Sequence, residues 1–177
     1  FRGEIPKGNV LVCSKHMSFL DILMLASVLT DYRFIIKRQL IFAPIIGLYA
    51  MRLGCVSVNR KKGGAALTKM VNSVSSSSEA RSKGQLVIYP QGTRVLPGHN
   101  RPYKIGAGIL YQKYNRPCHL AATNTGTFWA RRSPFRYPGT AIMEFIGVLP
   151  SGIELNNFMS EIELRIEKAS NLLMEEA

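Results

Sequence analysis

Disulfide frameworks, membrane-spanning helices and metal clusters all lack the residues they would need. The three cysteines, Cys13, Cys55 and Cys118, form no C-x-x-C pair. Each lies in an apolar stretch and reads as a buried, reduced thiol. No run of 18 apolar residues occurs, so no segment of this sequence is long enough to cross a bilayer as a helix, and no signal-peptide pattern is visible. His99 and His119 stand in no metal-ligand spacing with each other or with His16, so no metal is expected. There is no P-loop, and Gly63-Gly64 and Gly106-x-Gly108 are too sparse for a dinucleotide fingerprint. Gly (15) and Pro (9) are ordinary and no short repeat is visible, which excludes collagen-like and solenoid architectures. A hydrophobic content of 46% against 19% charged residues excludes a disordered chain.

Acidic residues are scarce, 11 against 23 Lys and Arg, for a net charge of +12. The imbalance is uneven. Six acids and two bases lie after residue 150, which leaves 21 bases and 5 acids before it. Such a field attracts polyanions: nucleic acid, anionic lipid headgroups, or phosphorylated substrates and carriers. The longest apolar run, residues 40–51 (LIFAPIIGLYAM), is flanked by Lys37, Arg38 and Arg52, and its length fits a core segment or an interfacial one.

Strands are expected at about 9–14, 33–37, 55–59, 85–89, 118–124 and 140–146. Helices are expected at about 19–29, 40–51, 62–82 and 106–114, and from Leu155 onward. The 19–29 segment is apolar all round, which predicts a buried helix. In the last helix Leu155, Phe158, Met159, Ile162, Ile166, Ala169 and Leu173 step by three and four, with Glu161, Glu163, Glu167 and Lys168 elsewhere on the wheel. Alternating strands and helices predict an α/β fold: a single domain over 1–177, with a central mixed sheet flanked by helices.

Three groups of residues carry the chemistry. His16 follows the first strand and Asp21 lies in the first turn of the next helix. That spacing lets Asp21 bind one imidazole nitrogen and leave the other free as a general base. Ser18-x-x-Asp21 reads equally as a capping box, with His16 a packed loop histidine. Gln91-Gly92-Thr93-Arg94 follows the strand QLVIY. There Gly92 allows close backbone approach to an anion, Thr93 supplies a hydroxyl and Arg94 a fork suited to phosphate. Lys37 and Arg60 end two further strands, where ligands of open α/β sheets collect. Together these residues describe a pocket for a phosphorylated alcohol. Phe128, Trp129, Arg131, Arg132, Phe135 and Arg136 mix aromatics and cations as an interfacial membrane patch would.

The order of these blocks resembles the glycerolipid acyltransferases. His16-Met17-Ser18-Phe19-Leu20-Asp21 is similar to their H-x4-D box, and Lys37-x-x-Leu40-x-x-x-Pro44-x-x-Gly47 to their second block. Val58-Asn59-Arg60 is similar to the segment ending in a phosphate-binding Arg. Pro90-Gln91-Gly92-Thr93-Arg94 is similar to the E-G-T-R box, and residues 117–122 sit where a proline-bearing fourth block falls. The resemblance implies that His16, oriented by Asp21, deprotonates the free hydroxyl of 1-acyl-sn-glycerol-3-phosphate (lysophosphatidic acid). That hydroxyl attacks the thioester of acyl-CoA or acyl-carrier protein, giving phosphatidic acid, with no cofactor beyond this co-substrate. Lys37, Arg60 and Arg94 would hold the acceptor phosphate, and the 19–29 and 40–51 segments would line an acyl groove. Two positions depart from the family pattern: Lys15 replaces the usual Asn, and Gln91 the Glu. Gln91 is expected to orient substrate by hydrogen bonding, and Gln91→Glu to be tolerated. An anionic membrane surface is the expected partner, and nucleic acid is not. The expected location is the cytoplasmic face of a bacterial inner membrane, held peripherally or by an N-terminal segment absent from this sequence. A different lyso-lipid acceptor, such as a lyso-ornithine lipid, is the alternative, with a basic nucleic-acid-binding module a more distant one.

Overall fold

The computed structural model describes residues 1–58 and 84–177. The expected helix at 62–82 and Arg60 lie outside the described residues. Within them the chain runs β1 (Val10–Ser14), α1 (Leu20–Val28), β2 (Tyr32–Lys37), a 3-10 turn (Arg38–Phe42), α2 (Pro44–Arg52) and β3 (Val56–Val58). It continues through β4 (Gln85–Ile88), α3 (Gly106–Tyr114), β5 (Cys118–Thr123), α4 (Thr125–Phe128), β6 (Met143–Leu149) and α5 (Leu155–Glu175). The six strands form one sheet in the order β3-β2-β4-β1-β5-β6. All pairings are parallel except β5 with β6. The expected α/β fold with a mixed sheet is therefore present.

Every residue of β1 and β4 is buried, because parallel strands at the centre of a sheet are covered on both faces and read as continuous apolar runs. Period-two alternation sorts their side chains. Leu11, Cys13, Leu86 and Ile88 face α3 and α5, where Leu110, Phe158, Ile162 and Ile166 complete the larger core. Val10, Val12 and Val87 face the other way, onto Leu25 and Leu29. The Tyr111 and Phe158 rings join α3 to α5, stacked at 3.8 Å. The α5 stripe of Phe158, Ile162, Ile166 and Leu173 is buried as its spacing predicts.

Two expectations are corrected and one is narrowed. α1 is not a buried helix: only Asp21 and Leu25 are buried within it, since a single face meets the sheet. Of the two readings of the 40–51 segment, core or interfacial, its exposure excludes core. It folds as the 3-10 turn followed by α2, started by Pro44 at a position that needs no N–H donor, and within α2 only Gly47 and Ala50 are buried. Gly47 is required there, because a Cβ would lie 1.9 Å from the Ile41 carbonyl oxygen. The last strand begins at Met143 rather than 140, in the register set by Thr123 opposite Met143.

The parallel arrangement brings the carboxyl ends of β1, β2, β4 and β5 to one edge of the sheet, which is where an open α/β sheet presents ligand sites. His16, Lys37 and the 91–94 turn all follow such ends.

Candidate active site

β1 hands the chain to the His16 loop through Lys15, whose N–H donates to the Ala121 carbonyl of β5 at 3.0 Å. His16 follows, and α1 begins four residues later. Asp21, fully buried, uses both oxygens. Oδ1 lies 2.9 Å from His16 Nδ1, while Oδ2 accepts from the backbone N–H groups of Met17 and Ser18, each at 2.8 Å. Ser18 Oγ in turn accepts from the Leu20 N–H at 3.1 Å. One carboxylate oxygen thus holds the backbone at the helix start, the half of a capping box that Asp21 supplies, and the other holds the imidazole.

An ionised carboxylate only accepts hydrogen bonds, so Nδ1 carries the proton and Nε2 keeps its lone pair. The ring plane is set by Tyr89, stacked on His16 with centroids 3.9 Å apart and planes 16° from parallel. Phe34 backs Tyr89 in the same orientation at 6.2 Å. Burial, and next the nearby Asp21 charge, push the Tyr89 hydroxyl well above the usual tyrosine range, so the imidazole stands on a neutral ring. Sequence reading missed Tyr89 as a site residue. Its only signal was its place as the last residue of an apolar strand segment.

The 91–94 turn is anchored to the same loop. Gly92 adopts φ 69° and donates to the Tyr89 carbonyl at 2.9 Å, and the Val95 N–H donates to the His16 carbonyl at 2.8 Å. Beyond it, Arg94, Arg101, Arg131 and Arg132 line one cavity of about 360 Å³ with Val95, Leu96, His99 and Asn100. Among the described residues no carboxylate lines this cavity. Among the described residues none of the four arginines forms an ion pair. Arg131 Nη1 donates to the Arg94 carbonyl oxygen at 3.2 Å, tying the two walls together. Four arginines around one open space, with no ion pair among the described residues, suit a phosphorylated ligand.

The other sequence-predicted residues fall as follows. Thr93 is half-buried in the turn beside Gly92. Lys37 is exposed at the end of β2 and does not line the cavity. Gln91 does not face a substrate: it is buried, and its Nε2 donates to the Arg101 carbonyl and to Glu167 Oε1, each at 3.2 Å. The expected membrane patch divides. Phe128 is buried in α4 beneath Gly139, where a Cβ would come within 2.1 Å of the Phe128 ring, so it cannot touch a bilayer. Arg131 and Arg132 turn to the cavity. Trp129 is half-buried, edge-on to Phe19 and covered by the Arg136 guanidinium at 4.0 Å, while Phe135 and Arg136 are exposed. The larger apolar surface is on the 3-10 turn and α2, where Phe42 is 76% and Ile45 73% exposed, with Leu48, Tyr49 and Met51 exposed beside them. Among the described residues no helix is long and apolar enough to cross a membrane, and no cluster of metal-ligating side chains occurs.

Comparison with known proteins agrees with this fold and identifies a family. The acyltransferase family profile matches residues 2–119. The chain is 27% identical over 138 residues to 1-acyl-sn-glycerol-3-phosphate acyltransferase of Pseudomonas aeruginosa, a match covering 77% of this chain and 52% of that protein. It is 28% identical over 143 residues to the beta form of that enzyme from Homo sapiens, covering 80% and 51%. The chain therefore spans about half the length of these curated relatives. In fold it is similar to the crystal structure of the 1-acyl-sn-glycerophosphate acyltransferase PlsC from Thermotoga maritima. The TM-score is 0.75 at 18% identity, over 96% of this chain and 68% of that one.

Proposed function

The chain belongs to the acyltransferase family, and from that premise we propose that it transfers a fatty acyl group from acyl-CoA or acyl-carrier protein to the free hydroxyl of 1-acyl-sn-glycerol-3-phosphate, giving phosphatidic acid. The observation that carries this reading is the His16–Asp21 pair, 2.9 Å apart, on a loop bonded directly to the turn that supplies Arg94. His16 Nε2 takes the hydroxyl proton as the oxygen attacks the thioester carbonyl. The C–S bond then breaks, and the imidazolium returns the proton to the departing thiolate. Asp21 stabilises the charged ring without itself taking the proton. Arg94, with Arg101, Arg131 and Arg132 across the cavity, binds the acceptor phosphate and so positions the hydroxyl. Lys37, at the end of β2, adds to the basic field at that edge of the sheet.

A lipid acceptor requires access to a membrane. The exposed apolar side chains of the 3-10 turn and α2, flanked by exposed Lys37, Arg38 and Arg52, fit the surface of an anionic bilayer. Phe135 and Arg136 provide a second contact. The test is incubation of the protein with lysophosphatidate and labelled acyl-CoA or acyl-carrier protein in detergent, followed by detection of phosphatidate and free thiol. Acylation of lyso-ornithine lipid but not of lysophosphatidate would overturn the acceptor assignment. No transfer to either would overturn the reading altogether.

A further inference from the structure

The reacting loop and the arginine-bearing turn share one half-buried partner that neither motif contains. Glu167, in the middle of α5, collects donors from three separate parts of the chain. Lys15 Nζ lies 2.7 Å from Oε1 and 2.5 Å from Oε2, the Tyr103 hydroxyl donates to Oε1 at 2.9 Å, and Gln91 Nε2 donates to Oε1 at 3.2 Å. Lys15 precedes His16, Gln91 precedes Gly92, and Tyr103 stands in the loop before α3. Lys15 is 2% exposed, so its charge has no access to water and depends on this carboxylate. Burial, then the Glu167 charge, raise the Tyr103 hydroxyl far above the ordinary tyrosine range, which leaves it a donor throughout. The opposite end of the Gln91 amide, Oε1, is buried and has no partner among the described residues. The amide is thus held by what its NH2 group donates to, Glu167 and the Arg101 carbonyl.

We propose that Glu167 is the positioning residue of the site: one carboxylate on α5 that holds the His16 loop and the Arg94 turn in mutual register, and that requires an amide at position 91. An acid at 91 would bring two carboxylates to about the 3.2 Å separation now occupied by the amide bond, in a space shared with a single lysine. The tolerance of Gln91→Glu expected from sequence is therefore reversed. Losing the carboxylate instead leaves Lys15 buried and uncompensated. This inference rests on the reading of His16 as the base and of Arg94 as a phosphate ligand.

The test uses three variants: Glu167→Gln, Gln91→Glu, and the double variant that exchanges acid and amide across the same bond. Each single change should lower kcat/KM by about 10- to 100-fold, the scale of one charge-assisted hydrogen bond. The exchanged double variant should recover part of the loss, because the acid–amide pair is restored while position 91 can no longer donate to the Arg101 carbonyl. A second readout does not depend on turnover: amide hydrogen exchange at Met17, Ser18 and Val95, whose N–H groups bond to Asp21 and to the His16 carbonyl. Exchange at these amides should speed up in the single variants, relative to amides of the β1–β4 core, and partly return in the double. Wild-type kcat/KM and unchanged exchange in Glu167→Gln would overturn the proposal, as would a double variant no better than the worse single. If wild type proved inactive but the exchange pattern still held, the catalytic reading would fall and the positioning role would stand.

Discussion

Replacing Asp21 by Asn separates the two tasks that its carboxylate performs. One oxygen accepts two backbone N–H bonds at 2.8 Å and the other faces His16 Nδ1 at 2.9 Å. An asparagine must choose which end turns to which neighbour. Pointing its NH2 at the Met17 and Ser18 N–H groups would set donors against donors and forfeit two bonds, each worth about 0.5–1.5 kcal/mol net and more to restore inside a buried site. The amide oxygen therefore stays on the backbone and the NH2 group faces the imidazole. His16 Nδ1 then has to accept, its proton moves to Nε2, and the atom that should take the hydroxyl proton is already protonated. The helix start remains intact. The expected result is a loss of about 10²–10⁴-fold in kcat with a melting temperature close to wild type. Asp21→Ala, which removes the backbone bonds as well, should cost about 0.5–2 kcal/mol of stability in addition. Thiol release from acyl-CoA in the presence of lysophosphatidate, measured beside thermal unfolding, gives both quantities. Asp21→Asn turning over within tenfold of wild type would refute the tautomer argument. A melting temperature as low as that of Asp21→Ala would refute the proposed division of labour between the oxygens.

Further expectations follow from the cavity, the surface and the sheet. Arg94→Ala should raise the acceptor KM or lower kcat/KM by roughly 10- to 100-fold with little effect on the donor, and an unchanged acceptor dependence in steady-state kinetics would remove Arg94 from the phosphate site. Phe42→Ser combined with Ile45→Ser should weaken co-sedimentation with liposomes at both low and high salt, while raising salt alone should weaken only the part that depends on anionic lipid, whose surface field is screened beyond about 8 Å at physiological ionic strength. Binding indifferent to these two substitutions would move the membrane surface elsewhere. His119 has its pKa lowered by burial, with Glu4 opposing. Folding then disfavours its charged form, so stability is fully present above the ordinary histidine pKa of about 6.5 and declines as pH falls through it. Melting curves from pH 8 to 5 should show a shallower acid decline for His119→Gln, and identical slopes would exclude this group.

What the sequence discloses about this site is what lies close along the chain. The apolar runs of β1 and β4 and the three-and-four spacing of α5 are local patterns with a single physical meaning each, and the five-residue step from His16 to Asp21, which the sequence leaves open between a cap and a paired imidazole, closes at 2.9 Å in the structure. The order of the sheet then explains why the His16 loop and the turn after β4 meet, since β1 and β4 are neighbours although more than 70 residues separate them. Residues whose partners are remote are misread by the same rules. Phe128 belongs to a one-turn helix too short to show periodicity, so its composition suggested a surface patch where the fold makes it core. Arg94 and Arg131 share a cavity wall across 37 positions, a separation that no spacing rule reads. Glu167 lies off the apolar stripe of α5, where an acid ordinarily meets solvent, and only the 152-residue closure onto Lys15 turns it inward. The unusual side chains at positions 15 and 91 then cease to be two independent departures. A buried lysine needs a carboxylate, that carboxylate comes from α5, and once it is there the position beside it must donate a hydrogen bond. An amide does this, and an ionised acid cannot.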